Sequence, residues 1–386
     1  MSLYHVVRNQ RFPILKRWFN SIRKSENAAS VLDLNQTVAD LPDLIDDKEK
    51  MLSLMTQYKQ FAFKFRRSIS RAGVDKLNKS LSPLVEELRP YDISIALQYF
   101  VALEKPPILL LQRVQNQFAR VADSSSPRTC STVFWALGKL QSPVQEELFL
   151  SIEHHIADNY RMYEGINVAQ SYWAYARLNR RPSDEVLSCL ESQIVNPNRP
   201  LKAQEISNIL WAHGKLKLNP SSKVLNILAQ DMLACIRDFK PQEISNILWA
   251  FAILDYAPRI ELFEAIEVQT IDMKKLLQPQ SISNIFWACG KLRLTPSDEY
   301  LRFLESQLVE KLDHFNSQDI AHCLSAFHLL NQCPPESLLL AFEPRIMKIQ
   351  KTIKSQELSA IFRAFEKFKY NPSDPFLEMF KVQKKH

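Results

Sequence analysis

Five of the six tryptophans in this chain are separated from one another by the same interval. Each lies 38 residues after the one before, at Trp135, Trp173, Trp211, Trp249 and Trp287. The sequence around them repeats too, as STVFWALGKL, ISNILWAHGKL and ISNIFWACGKL. A fixed period of this length is typical of a repeat array, in which a single unit cannot bury its apolar face and must stack on its neighbours. The chain is therefore restricted to folds that grow by adding like units.

The repeat extends beyond the tryptophans. Ser325 and Arg363 occupy the tryptophan place in two later units, and Gln98 occupies it in an earlier unit with an offset of one residue. The pattern predicts about eight units over residues 90–386. Residues 31–89 lack the repeat and are predicted to form an N-terminal helical cap, with helices at Lys48–Ser68 and Val74–Leu88.

Each unit divides into two helical patterns. In the unit of Trp211, the first helix is predicted over Gln204–Leu218. The second is predicted over Lys223–Phe239, with Asn219 as its N-cap and Pro220 at its first position. Glycine is nearly absent, at 5 residues, whereas sheets and phosphate-binding loops depend on glycine for their turns. We expect an all-α fold, namely a right-handed α-solenoid (superhelix) of 38-residue helix-turn-helix repeats.

The charge of the chain is concentrated at its N-terminus. Residues 1–25 hold six Lys or Arg residues and no Asp or Glu, although the whole chain has a net charge of only +7. Basic residues interleaved with apolar ones are typical of a mitochondrial import sequence, so residues 1–30 are predicted to be a targeting segment. The alternative is a basic arm of the mature protein that lies along an RNA backbone.

The sequence shows no sign of catalytic chemistry. The six cysteines form no CxxC pair, no histidine lies in a metal-binding motif, and no phosphate-binding glycine loop occurs. No apolar run approaches the roughly 18 residues that a membrane span needs. We expect no enzyme activity, cofactor, metal, membrane partner or small-molecule substrate, and we expect the cysteines to be small buried residues.

A helical wheel separates two faces of the first helix. Ile206, Ile209, Leu210, Ala212, His213 and Leu216 share one broad arc, which predicts the core. Gln204, Asn208, Trp211 and Lys215 lie opposite and form one stripe, because they are spaced four, three and four residues apart. Each of these four residues defines a position of the repeat, which we name after it and which recurs in every unit.

Polar side chains recur at three of the four positions. The Gln204 position holds Arg128, Ile166, Gln204, Gln242, Gln280, Gln318 and Gln356. The Asn208 position holds Thr132, Gln170, Asn208, Asn246, Asn284, His322 and Ala360. The Lys215 position holds Lys139, Arg177, Lys215, Ile253, Lys291, Leu329 and Lys367.

This stripe has the chemistry that binds single-stranded RNA. Cations meet phosphates, amides contact base edges and aromatic rings stack on unpaired bases. The stripe also has structural interpretations: the tryptophans can pack between units, the amides can cap helices, and the cations can form a solvated face. The amide and the cation are therefore better candidates for RNA contact than the tryptophans.

The repeated motif resembles a known family. A 38-residue unit with a core like QEISNILWAxGKL, seen at Gln204–Leu216, Gln242–Leu254 and Gln280–Leu292, is similar to that of octotricopeptide repeat proteins. The resemblance implies an α-solenoid that binds RNA in mitochondria or chloroplasts, and some members are structural subunits of mitochondrial ribosomes. It covers about three quarters of the chain. Many members carry a further C-terminal module, and its absence after the last unit favours a structural clamp.

The resemblance leads to three functional hypotheses. The first is a structural component of the mitochondrial ribosome that binds and stabilises rRNA beside neighbouring ribosomal or other organellar proteins. The second is a transcript-specific factor for RNA maturation, stability or translation. The third is a protein–protein scaffold that binds no RNA. We expect a mitochondrial location, with the chloroplast as the alternative.

Overall fold

The computed structural model describes residue 45 and residues 47–65, 71–103 and 106–383. The predicted targeting segment lies outside the described residues. The chain divides into two compact units, the first ending at Ile152 and the second beginning at Glu153. Every regular element among the described residues is helical.

The first unit contains the two helices predicted for the cap and the beginning of the repeat array. Its helices are α1 (Lys48–Phe65), α2 (Arg71–Leu84), α3 (Pro90–Ala102), α4 (Ile108–Val121) and α5 (Pro127–Leu140). Helix α6 (Glu146–Asn159) contains the division between the units. Helices α1 and α3 contact each other, as do α3 and α5.

The second unit continues the alternation of two helices per repeat. Its helices are α7 (Gly165–Leu178), α8 (Asp184–Val195), α9 (Ala203–Leu216), α10 (Ser222–Ala234), α11 (Pro241–Ile253), α12 (Ile260–Asp272), α13 (Pro279–Lys291), α14 (Asp298–Lys311), α15 (Ser317–Leu329), α16 (Glu336–Ile349), α17 (Ser355–Lys367) and α18 (Asp374–Gln383). From α3 onward, odd numbers mark the first helix of a repeat and even numbers mark the second. The predicted class, an all-α solenoid of helix-turn-helix repeats, is confirmed.

First helices stack closely on one another in the second unit. Each of α7 through α15 contacts the next first helix along the chain. A Cβ added at Gly214 would lie 3.0 Å from the Cα of Ala250, and one added at Gly290 would lie 2.9 Å from the Cα of Ala326. Contacts this short to backbone atoms leave no room for a side chain, so glycine here allows neighbouring first helices to approach each other.

Three of the second helices, α6, α12 and α16, are joined to the next repeat by a carboxylate. Glu267 of α12 accepts a hydrogen bond from the backbone N–H of Ser297 at 3.0 Å. The same bond runs from Ser183 to Glu153 and from Ser373 to Glu343. Each of these bonds satisfies a backbone donor just before a second helix, where the helix cannot supply a partner itself.

The turn between the two helices of a repeat uses a left-handed residue that is not glycine. Positive φ angles of 50–55° occur at Gln141, Asn179, Lys217, Asp255, Arg293, Asn331 and Lys369, which are spaced 38 residues apart. All seven side chains are exposed. This repeated turn explains how the chain reverses direction with so few glycines.

The predicted N-cap and C-terminal end of the second helix were wrong, although its start at Ser222 is within one residue of the predicted Lys223. Asn219 is not the N-cap of α10; Ser221 is, and its hydroxyl accepts from the backbone N–H of Val224. The left-handed residue Lys217 takes up the reversal earlier, which leaves Pro220 in the turn ahead of the helix. The helix ends at Ala234 and is followed by a 3₁₀ turn, so it is shorter than the apolar pattern indicated.

The expected burial of the cysteines was only partly correct. Cys130, Cys289 and Cys323 are buried, and two others are half-buried. Cys333 is exposed in the turn before α16, so the prediction was wrong for this residue. All six cysteines are free thiols.

Candidate nucleic-acid interface

The two faces predicted for the first helix are present in α9. Ile206, Ile209 and Leu210 are fully buried, which contributes about 1.5–3 kcal/mol for each side chain. Gln204 and Lys215 on the opposite face are exposed. The core arc of this helix is therefore confirmed, and the stripe faces away from it.

Exposure follows position rather than residue type along this stripe. All seven side chains at the Gln204 position are exposed, although they include Arg128 and Ile166. All seven at the Asn208 position are half-buried, including Thr132, Gln170 and Ala360. Each first helix thus has one fully exposed side chain, at the Gln204 position, and one half-buried (recessed) side chain, at the Asn208 position.

The candidate residues are distributed over both units. Arg128, Thr132 and Lys139 lie on α5 in the first unit. The remaining candidates lie in the second unit, on the consecutive first helices α7 to α17, at Gln170, Arg177, Gln204, Asn208, Lys215, Gln242, Asn246, Gln280, Asn284, Lys291, Gln318, His322, Gln356 and Lys367. The second unit therefore carries a row of equivalent positions on helices that touch one another.

The glutamines at the Gln204 position do not cap their helices. In α9 the cap comes from the next residue, Glu205, whose carboxylate accepts from the backbone N–H of Lys202 at 3.0 Å. Glu243 and Glu357 do the same in α11 and α17. The amides of the five glutamines form no hydrogen bond with any residue that the structure describes. They are available to a ligand.

The asparagines at the Asn208 position are also without hydrogen bonds. The side chains of Asn208, Asn246 and Asn284 are half-buried and have no hydrogen-bond partner within the described ranges. A half-buried amide without a partner is costly to keep unless solvent or a ligand satisfies it. In α15 the position is taken by His322, whose ring stacks on Trp287 with centroids 5.4 Å apart.

The tryptophans contribute mainly to packing. Their side chains are half-buried, and the ring of Trp249 lies 3.1 Å from where a Cβ would stand on Gly214 of the preceding first helix. Together with the Trp287–His322 stack, this geometry supports the interpretation that the rings pack between repeats. Two rings also lie beside the cation of their own stripe: Lys139 Nζ is 5.8 Å from Trp135, and the Arg177 guanidinium is 5.6 Å from Trp173.

The cations of the stripe differ in their surroundings. Lys215 and Lys291 are exposed and form no ion pair or hydrogen bond with any described residue. Lys367 donates from Nζ to the backbone carbonyl of His328 at 2.9 Å. Ile253 and Leu329 interrupt the series with apolar side chains.

Two histidines close to the stripe are held neutral. Burial lowers the pKa of His213 to about 4, since its ring is enclosed by the core. Partial burial lowers the pKa of His328, and the nearby cations Lys367 and Arg363 lower it further. These imidazoles therefore add no positive charge to the surface near pH 7.

The turn residues after the first helices were missed by the sequence reasoning. Lys217, Arg293 and Lys369 each follow a cation of the stripe by two residues, and all three side chains are exposed. These turn positions also recur every 38 residues in the sequence. They hold different residue types from repeat to repeat, however, and they lie beyond the helix, so a helical wheel does not include them.

Comparison with models of known protein families finds no match for this chain, and a search of curated proteins finds none either. Among the residues that the structure describes, no helix has the length and apolar character needed to cross a membrane. Within the same ranges, no three His, Cys, Asp or Glu side chains are grouped so that they could hold a metal ion.

Proposed function

We propose that this chain is an organellar RNA-binding protein of the octotricopeptide repeat type, and that it serves as a structural component of the mitochondrial ribosome. The observation that carries the proposal is a repeated surface on the first helices: an exposed glutamine, a recessed asparagine and a cation occur together on α9 and α13, and the glutamine and asparagine also occur on α11 between them. In α9 and α13 none of these three groups has a partner among the described residues.

The chemistry of the three groups fits single-stranded RNA. The cation at the Lys215 position neutralises a phosphate, and the amides at the Asn208 and Gln204 positions contact the edges of unpaired bases. The tryptophan between them keeps its packing role and sets the spacing of the repeats. The 38-residue resemblance supports the same ligand class and the organellar location.

The test reverses the charge of the stripe. We expect the variant K139E/R177E/K215E/K291E to bind a single-stranded RNA of mixed sequence much more weakly than the wild type. The slope of log K against log salt should be smaller in magnitude by about 3, because each phosphate contact on a single strand contributes about 0.7 to this slope. Fluorescence anisotropy at several salt concentrations measures both quantities.

A matched control places the same change on the second helices. The variant R120E/K223E/R302E/K348E alters four exposed cations and has the same net charge as the stripe variant. Equal losses in both variants would mean that RNA responds only to overall charge. Full RNA binding by the stripe variant would mean that the RNA binds elsewhere, whereas no RNA binding by the wild type would favour a protein scaffold.

A second experiment separates a ribosomal component from a transient factor. A structural component sediments with the ribosomal particle in equal amount and stays bound in high salt. Sub-stoichiometric, salt-released sedimentation would contradict the ribosomal assignment while leaving RNA binding intact, and would favour the transcript-specific factor.

A further inference from the structure

Three turns of the second unit hold a long cation in a conformation that long side chains rarely adopt. Lys217, Arg293 and Lys369 have φ angles of 51°, 52° and 54°, in the left-handed region. Glycine adopts this conformation easily because it has no Cβ to approach the carbonyl oxygen, and asparagine tolerates it because its short polar side chain can form local hydrogen bonds. Asn179 and Asn331 occupy the same turn position in other repeats, so the turn itself does not require a cation.

The three turn cations coincide with cations of the stripe. The first helices α9, α13 and α17 end in the pairs Lys215 with Lys217, Lys291 with Arg293, and Lys367 with Lys369. The repeats between them carry Ile253 with Asp255, and Leu329 with Asn331. Paired cations thus occur on every second repeat from α9 to α17, and the repeats between them lack a cation at both positions.

Local helix electrostatics do not account for this alternation. A helix C-terminus favours a cation in its last turn, but α11 and α15 have the same dipole and carry Ile253 and Leu329 there. Nor does the protein itself use the charges. All six cationic side chains are exposed, and five of them form no ion pair or hydrogen bond with a described residue; the sixth is Lys367. Exposed cations that the protein leaves unpaired, and that recur in register, are available to an anionic ligand such as a phosphate.

We propose that these pairs are three phosphate clamps, which hold the backbone of single-stranded RNA at every second repeat of the second unit. The proposal rests on the proposed function and specifies how the same surface engages its ligand. The backbone follows the C-terminal ends of the first helices. Lys215 and Asn208 lie about 10 Å apart along α9, so bases extend from the clamps toward the recessed amides.

The geometry of a clamp differs from that of a single lysine. One cation of each pair lies in the last turn of a first helix and the other is the left-handed residue two positions later, so a phosphate at the helix end meets two cations instead of one. Ile253 and Asp255 offer no such contact, and Asp255 repels a phosphate. The nucleotides that pass α11 and α15 are therefore held by base contacts alone.

The test removes the turn cations without disturbing the turn. In the variant K217N/R293N/K369N, each substitution introduces the residue that other repeats already carry in this conformation. We expect binding of a 20-nucleotide single-stranded RNA to weaken roughly a hundredfold at 0.1 M salt, with a salt dependence less steep by about 2. Thermal unfolding should not shift to lower temperature, because asparagine suits the left-handed region.

The control variant K223Q/R302Q/K348Q removes three exposed cations from second helices and has the same net charge. We expect its affinity to change less than about threefold, since charges beyond the screening length contribute little. Equal losses in the two variants, or an unchanged turn variant, would overturn the clamps while leaving RNA binding established. If the wild-type protein does not bind the RNA at all, the proposed function fails and the clamps fail with it.

Discussion

Acidification should loosen the contact between α7 and α9 through a single imidazole. His213 is fully buried in α9, and its Nδ1 lies 2.8 Å from the carbonyl oxygen of Ile209. Its ring is 4.6 Å from that of Tyr172 in α7, and its Nε2 has no hydrogen-bond partner among the described atoms. Protonation would place a charge in the core, where the Ile209 carbonyl offsets only part of the cost of burial.

The size of the effect follows from the pKa of His213, which burial lowers from 6.5 to about 4. Between these values the unfolded chain binds a proton that the folded chain resists, so stability is complete above pH 6.5 and is lost as the pH falls toward 4. The whole window corresponds to about 3 kcal/mol, and about 2 kcal/mol of it is reached at pH 4.5.

The repeat itself supplies the control. Phe251 and Phe327 are the buried equivalents of His213 in α11 and α15, so His213→Phe introduces a residue that the array already accommodates. We expect the variant to lose about 2 kcal/mol less stability than the wild type between pH 7 and pH 4.5. The difference between the two proteins removes the contribution of all other titrating groups.

Urea unfolding followed by circular dichroism at the two pH values measures this difference. Repeat arrays can open locally, so hydrogen exchange of α7 and α9 should be followed as well. An identical pH dependence in both proteins would refute the assignment of the titration to His213. Faster exchange at low pH that is confined to other helices would refute it too.

Two further predictions concern the turns and the links between repeats. Gln141→Gly should raise the free energy of unfolding by about 1 kcal/mol, because glycine adopts the left-handed conformation without strain, whereas Asn331→Gly should gain less; chemical denaturation measures both, and equal gains would contradict the strain argument. Glu343→Ala should cost about 1–3 kcal/mol at the C-terminal repeat, because it removes the acceptor of the Ser373 N–H and the Tyr370 hydroxyl. Hydrogen exchange of α18 should then accelerate, and unchanged protection there would show that the carboxylate does not hold the helix.

The fold could be predicted because its main signal is repeated many times. The buried arc of α9 follows directly from the helical period, and the exposure of Gln204 and Lys215 follows from being opposite that arc. The same reasoning applies to every repeat, so a helical wheel that is correct for one first helix predicts the burial of the equivalent residues in the others. The regular stacking of the repeats therefore corresponds to the regular 38-residue spacing in the sequence.

The turns could not be predicted in the same way. The left-handed position holds Lys217 in one repeat and Arg293 in another, and neither residue type signals this conformation. Without a glycine to mark the reversal, Asn219 looked like the cap, although Ser221 has this role. The sequence also could not show that the Gln204 amide makes no hydrogen bond, because the capping role of Glu205 is seen only in the structure.

The seven left-handed turn residues have a consequence for how such an array can diversify. Their φ angles all lie between 50° and 55°, yet their side chains are exposed and range from Asp255 to Arg293. A substitution at this position changes the charge at the edge of one repeat without touching its buried helices or the stacking of its neighbours. The turn is therefore a position at which selection or an engineer can change the surface charge of one repeat independently of the others.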